Sequence, residues 1–352
     1  LSLTVYGLPT ELKHRVAGLT CHRNNQKNCM ERMIQMNVLS LFDGMSCGRI
    51  ALDKLGIQVD NYFASEVDKY AIQVAQTNYP DTVHLGDVRD VRTSEGLLYV
   101  TEGDGCPHYE IDLLIGGSPC QGFSFAGKRL NFDDPRSKLF WEYVRLLKEL
   151  RPKYFLLENV KMKQESMDVI TEALGVEPIF INSNLVSAQN RQRWYWTNIP
   201  MDKLPDDKGI LLKDVLEDGH VDRNKAHCID ANYFKGGNLK SYFEKHRRQL
   251  VFSKDGLCHV GDADIRGNDN VRRVYHPDGK SPCLTTMGGG HREPKTLTSD
   301  TTWRKLTPLE CERLQTVPEG YTAHVSNTQR YRMLGNGWTV DVITHILKGM
   351  DT

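Results

Sequence analysis

The chain has 352 residues, 39% hydrophobic and 26% charged, and its 45 basic and 45 acidic side chains give a formal net charge of zero. That length suits one large domain, or one large and one small, of ordinary soluble composition. No apolar run approaches the ~18 residues of a spanning helix, the first residues lack a signal-peptide pattern, and nine cysteines without a CxxC pair argue against a disulfide framework and a structural zinc site. A cytoplasmic, reducing setting fits best, and it keeps the cysteines free. Zero net charge weighs mildly against nucleic acid as a partner, although a cationic cleft can be offset by acidic surface elsewhere. The basic clusters Lys245-His246-Arg247-Arg248, Arg272-Arg273 and Arg191 with Arg193 are read either as solvated faces or as parts of such a cleft.

Residues 1–35 carry little pattern, and Met36 directly precedes a strand-like run at 38–42. We read Met36 as the natural start and 1–35 as an upstream extension, an arm rather than a domain. From 36 to 200 the chain alternates strand-like runs at 38–42, 61–65, 111–116, 154–158 and 178–182 with helix-period stretches at Arg49–Leu55, Lys69–Asn78 and Lys138–Leu150. Such alternation means crossover units: a doubly wound α/β domain with a mostly parallel sheet. Between 201 and 303, glycine and asparagine cluster in turns such as Gly236-Gly237-Asn238 and Gly288-Gly289-Gly290, which suits a small loop-rich domain. Helical spacing returns at Leu309–Leu314 and Val340–Leu347, so 304–352 is expected to complete the first domain.

Chemistry-bearing residues fall at the strand ends, where open parallel sheets collect ligands. Phe42-Asp43-Gly44 follows the first strand and leads into a helix, a turn that lets a ligand approach the backbone. It is not the GxGxxG fingerprint, which disfavours a dinucleotide. Glu66 ends the second strand and can accept both ribose hydroxyls of a nucleoside; Asp87 follows the third and can accept an adenine amino group. The competing reading is that Glu66 and Asp87 cap helices. Pro119-Cys120 and Glu158-Asn159-Val160 end two successive strands and deliver a thiol and a carboxylate to one cleft. A reactive thiolate needs neighbouring positive charge, which Arg191 and Arg193 can supply.

The segments FDGMSCG (42–48), SEVD (65–68), GDVRDV (86–91), GGSPCQGFSFAG (116–127), FLLENV (155–160), QNRQR (189–193), KLTPLECERLQTVPEGY (305–321) and RYRMLGNGWTVDVI (330–343) occur in that order. Together they resemble the motifs of the DNA (cytosine-5)-methyltransferase family over nearly all of residues 38–348. The first motif is similar to the branch containing the vertebrate de novo enzymes, and the Gly-Phe-Ser after Cys120-Gln121 looks more like prokaryotic and phage members. The resemblance implies a class I, Rossmann-like methyltransferase domain at 36–200, a target-recognition domain at 201–303 and a return segment at 304–352. It implies S-adenosyl-L-methionine as cofactor, S-adenosyl-L-homocysteine as product, double-stranded DNA as partner, base flipping, and a cognate restriction endonuclease where the protein serves a restriction-modification system.

In that resemblance Cys120 attacks C6 of a flipped cytosine, Glu158 protonates or hydrogen-bonds N3, and Arg191 and Arg193 hold the cytosine and the charged intermediate. Phe42, Gly44, Glu66, Val67, Asp87, Pro119, Leu139 and Asn336 are the matched cofactor positions. Gln121, Ser124, Arg266, Arg272, Arg273 and Arg292 are candidates for DNA contact, with no metal implied. After Gly335-Asn336 the family often has serine, where this chain has Gly337-Trp338. Two alternatives stay open: a tRNA cytosine-5 methyltransferase, whose members carry Phe-Thr after the Pro-Cys, and a catalytically silent partner protein that keeps the fold.

Overall fold

The computed structural model describes residues 36–100, 107–118, 135–253, 259–262, 273–275, 295–296 and 302–351. The expected extension 1–35 lies outside these. Strands β1 (Asn37–Leu41), β2 (Asn61–Ser65) and β3 (Val83–Gly86) follow one another with α1 (Cys47–Leu55) and α2 (Lys69–Asn78) between them. A small antiparallel meander comes next: β4 (Arg92–Ser94), β5 (Leu97–Tyr99) and β6 (His108–Tyr109). The chain then returns through β7 (Leu113–Gly116), α3 (Pro135–Leu150), β8 (Tyr154–Val160), α4 (Gln164–Leu174), β9 (Ile179–Asn182) and β10 (Gln192–Thr197).

Seven of these strands form one sheet in the order β3-β2-β1-β7-β8-β10-β9. All neighbours from β3 to β8 run parallel, and β10 inserts antiparallel between β8 and β9. The strands are apolar on both sides because both faces are covered. Val38, Leu113 and Ile115 point into one buried cluster, beneath α1, α2 and the C-terminal helices, while Leu39, Leu41 and Leu114 point into the other, beneath α3 and α4. Each large apolar side chain buried in this way contributes about 1.5–3 kcal/mol. Strand order reverses between β1 and β7, which opens a crevice at their carboxyl ends. The doubly wound, mostly parallel α/β sheet read from the sequence is the fold.

Beyond the sheet, Leu212, Val215, Ala226, Ile229, Tyr233 and Val251 belong to the first-face core rather than to a separate one. A small cluster of Tyr242, Leu250 and Phe252 packs beside α5 (Leu239–Lys245). There β11 (Leu250–Ser253) pairs antiparallel with β15 (Thr302–Lys305), so β15 runs across the expected boundary at 303/304. β12 (His259–Asp262), β13 (Arg273–Tyr275) and β14 (Lys295–Thr296) form a three-stranded sheet. The chain ends in α6 (Pro308–Leu314), α7 (Asn327–Asn336) and α8 (Val340–Leu347), and α6 starts with a reciprocal Thr307–Glu310 capping box around Pro308.

Gly335, in the last turn of α7, packs closely against the backbone at Asp230 and Ala231. A Cβ there would stand 2.3 Å from the backbone carbon of Asp230 and 2.5 Å from the Ala231 nitrogen. Backbone cannot swing aside as a side chain can, so Gly335→Ala is expected to lower stability by about 1–3 kcal/mol. Urea denaturation checks this, and an unchanged midpoint would show that the contact yields freely.

Candidate active site at the carboxyl ends of the strands

A cleft of about 600 Å³ opens at the reversal point, lined from the ends of β1, β2, β3, β7, β8 and β10 and from the turn after α7. Its first wall is the loop after β1. Phe42, Gly44 and Ser46 all have left-handed backbone, with φ of 57°, 60° and 62°. For Phe42 and Ser46 this conformation costs of order 1 kcal/mol each, strain that persists only where the surroundings impose it. Here Asp43 imposes it from inside. Its carboxylate is buried and accepts from the hydroxyls of Ser46 at 2.5 Å and Tyr62 at 2.8 Å. Burial pushes the Asp43 carboxyl up to about 6, against those donors.

Glu66, at the end of β2, accepts from the Gly44 amide at 2.8 Å through Oε2, and from the Val67 and Asp68 amides at 2.7 and 2.8 Å through Oε1. It therefore braces the β1 loop and caps no helix; Asp68 is the N-cap of α2. Val67 is 70% exposed and presents an apolar face to the cleft. Asp87 caps the single turn Val88–Asp90 and is gripped by the Arg89 guanidinium, whose hydrogen bonds hold its carboxyl down at about 2. Leu139 of α3 and Asn336 of α7 complete this half of the lining. Phe42, Gly44, Glu66, Val67, Asp87, Leu139 and Asn336 all line this one cleft.

The other half centres on Glu158, near the end of β8. Its Oε1 lies 2.6 Å from Nε of Arg193 on the neighbouring β10, an ion pair in which the N–H is aimed off the oxygen, with side-chain exposures of only 10% and 13%. Its Oε2 accepts from the Trp338 indole N–H at 3.2 Å. Asn159 turns the opposite way and donates to Ser118 O at 3.3 Å and Ser118 Oγ at 3.2 Å, fastening the segment that leads to Pro119 to the strand bearing Glu158.

Arg191 differs from Arg193. It is 2% exposed, and its donors are committed to the carbonyls of Ile229 (3.2 Å), Gly335 (3.2 Å) and Gly337 (2.7 Å), with Cys228 Sγ at 3.4 Å. Burial lowers its pKa from the ordinary arginine value. Its immediate work is to tie three segments together at the cleft floor. Pro119, Cys120, Gln121, Ser124, Arg266, Arg272 and Arg292 lie outside the described residues, and Arg273 is described in its backbone alone, in β13.

The sequence reading gave no role to Asn159, Ser118 or Trp338. Trp338 stood out only as a departure from the family's usual residue, and nothing in its own neighbourhood of sequence points to Glu158, 180 positions away.

The cleft at a strand-order reversal, with a carboxylate ending β2 and an antiparallel strand inserted beside β8, defines a doubly wound α/β protein with a carboxylate-lined site at its strand ends. A family model for C-5 cytosine-specific DNA methylases matches residues 36–352, and the chain belongs to that family: it is a DNA cytosine-5 methyltransferase. It is 30% identical over 342 residues to the type II methyltransferase M1.ScrFI of Lactococcus lactis subsp. cremoris, covering 93% of this chain and 79% of that one. It is 26% identical to the orphan methyltransferase M.SPBetaI of Bacillus phage SPbeta, over 90% of this chain and 97% of the relative. Among solved structures, a DNA modification methyltransferase encoded within an E. coli prophage shares the fold, with a TM-score of 0.54, 24% identity and coverage of 90% and 98%. So does a Spodoptera frugiperda DNMT2 variant, with a TM-score of 0.57, 18% identity and coverage of 90% and 99%.

Asp43 gives the site a measurable pH signature. The unfolded chain releases its proton near the ordinary 3.8 and the folded protein near 6, so between these values the folded state holds more protons. The stability from this group is complete below about pH 4 and is lost as pH rises through about 6. Asp43→Asn removes that loss. From pH 4 to pH 7 the stability difference between variant and native protein is expected to move in favour of the variant, by at most about 3 kcal/mol. Urea melts at both pH values test this, and a pH-independent difference counts against it.

Proposed function

We propose that the protein transfers a methyl group from S-adenosyl-L-methionine to C5 of a flipped cytosine in double-stranded DNA, through a covalent bond between Cys120 and C6. One observation carries the reading: Asn159 fastens Ser118 against the end of β8, beside the carboxylate of Glu158. Cys120 follows Ser118 by two residues, a span of at most about 7 Å. The Cys120 thiolate adds to C6 while Glu158 protonates or hydrogen-bonds N3. C5 thereby becomes nucleophilic and takes the methyl group. A base then removes the C5 proton, and the thiolate leaves as the C5–C6 double bond re-forms. Arg193, paired with Glu158 in a nearly dry corner, offers positive charge where the cytosine ring accumulates negative charge. Arg191 holds the floor on which this arrangement rests.

The cleft's other half suits the proposed cofactor. Glu66 sits where ribose hydroxyls would be received, the open face of Val67 suits a flat purine, and Asp87 stands at the end of β3 to receive an amino group. When bound, S-adenosyl-L-methionine supplies the electrophilic methyl. Residues 36–200 with 304–352 would form the catalytic unit, and 201–303 the part that reads the target, with Arg266, Arg272, Arg273 and Arg292 as candidate contacts.

The test is transfer of labelled methyl from S-adenosyl-L-methionine to unmethylated genomic DNA, followed by bisulfite sequencing. Methylated cytosines in one short context support the reading. Label in tRNA instead favours the tRNA enzyme, and no transfer with intact cofactor binding favours a silent partner. Cys120→Ser is expected to abolish turnover with cofactor affinity within severalfold of native, and undiminished activity would sink the covalent route. Glu66→Ala is expected to weaken S-adenosyl-L-methionine binding by about 1–3 kcal/mol by calorimetry. Unchanged binding would remove Glu66 from the ribose site.

A further inference from the structure

We infer that Trp338 is the positioning residue for Glu158, and that Arg191 and Arg193 both serve that carboxylate, one through Trp338 and the other directly. The inference rests on the reading that Glu158 acts at the cytosine ring.

The terminal torsion of a glutamate side chain is broad, so one contact leaves the plane of its carboxylate free to turn. Among the described residues, Glu158 has one contact per oxygen: an ion pair with Arg193 Nε at 2.6 Å from Oε1, and the Trp338 indole N–H donating at 3.2 Å to Oε2. Two anchors on two oxygens fix the plane and decide which lone pairs face the cleft. An indole N–H donates only, so Trp338 can neither take nor relay a proton; what it can do is orient.

Trp338 is itself held from behind. The carbonyl of Gly337 accepts from Arg191 Nη2 at 2.7 Å and from Gln315 Nε2 at 3.3 Å, and the Gly337 amide donates to Met333 O at 2.7 Å. Arg191 thus fixes the backbone immediately before Trp338, from the position just ahead of the strand that carries Arg193.

Glycine at 337 belongs to the same device. A Cβ there would stand 2.9 Å from Met45 Cε, 3.1 Å from Met333 O and 3.3 Å from Cys47 Sγ. Without one, the backbone sinks toward Met45 and Cys47, and the next residue can extend an indole across to β8. The Gly-Trp pair is therefore one substitution in physical terms. On the far side, a Cβ at Gly117 would lie 3.0 Å from Trp338 Nε1 and 3.1 Å from Glu158 Oε2. The segment leading to Ser118 runs directly against the indole–carboxylate hydrogen bond, so the orientation it sets is felt where the nucleophile's strand ends.

A double-mutant cycle on the full chain tests this, read as single-turnover methyl transfer to DNA together with cofactor affinity and thermal melting. Trp338→Phe keeps a ring and loses the donor. It is expected to slow transfer about tenfold, the size of one hydrogen bond to a charged group, with cofactor affinity within about threefold. Glu158→Ala is expected to slow transfer by at least about 100-fold. In that background Trp338→Phe should add less than about twofold, because its partner is gone. Trp338→His, which keeps an N–H on a ring, should transfer faster than Trp338→Phe, and should stay within about threefold of native where the Phe variant does not fold.

Native-rate transfer by Glu158→Ala would overturn the role of Glu158 itself. With Glu158→Ala impaired, three results overturn the inference about Trp338 alone: a neutral Trp338→Phe, losses that multiply in the double variant, or a fall in cofactor affinity as large as the fall in rate. Loss of transfer in Trp338→His as deep as in Trp338→Phe, or beyond about tenfold where the Phe variant does not fold, also counts against it.

Discussion

A guanidinium buried against backbone carbonyls is the constraint on which this molecule's site depends. A buried cation costs several kcal/mol unless polar partners replace water. Arg191 finds those partners in carbonyls contributed by two segments far away in the chain, Ile229 on one side and Gly335 with Gly337 on the other. Satisfying one charge therefore docks residues 228–230 and the end of α7 onto the segment that leads into β10. The close approach of Gly335 to the Asp230 backbone follows from that docking, as does the location of Trp338.

Two buried amides extend the same junction. Gln189 donates to Leu314 O and to Gln315 Oε1, both at 2.9 Å, and accepts from the Ile229 amide at 3.3 Å. Gln315 donates to Leu334 O at 2.6 Å and accepts from the Thr339 hydroxyl at 2.9 Å. Both side chains are fully buried, so each lost partner would leave a polar group unpaired at about 1–3 kcal/mol. These contacts explain why the segments at 189–193, 305–321 and 330–343, apart in sequence, travel as a set: they are three sides of one polar knot beneath the cleft.

Much of the scaffold is legible in the sequence because a strand buried on both faces must be apolar along its length. The runs that became β1, β2, β7 and β8 have no polar alternative. The meander at 92–109 escapes that logic, since its hairpin turns on Glu95-Gly96, with φ of 52° and 86°, and glutamate is not a residue that announces a left-handed turn. The direction of β10 escapes too: its aromatic run reads as a strand, but only the pairing with β8 and β9 makes it antiparallel. At the site, Glu66, Asp87 and Glu158 are readable because strand-end carboxylates at a reversal point face one crevice. The difference between Arg191 and Arg193 is not readable. Two residues apart, they share a side of the chain, and what separates them is which distant carbonyls and carboxylates lie opposite.

Zero net charge and a nucleic-acid substrate are reconciled by how the cleft divides its charge. The ends of β1, β2 and β3 contribute Asp43, Glu66, Asp68 and Asp87, with Arg89 and Arg332 set against the last two as outward partners. The ends of β8 and β10 contribute Glu158 with Arg191 and Arg193. One end of a single crevice is therefore carboxylate-rich, and the other carries guanidinium groups in low-dielectric surroundings, where a charge acts more strongly than on open surface. Under the proposed function, a cationic sulfonium donor would suit the first end and a ring gathering negative charge the second. The two opposite preferences sit side by side in one crevice, with no surplus charge on the chain as a whole.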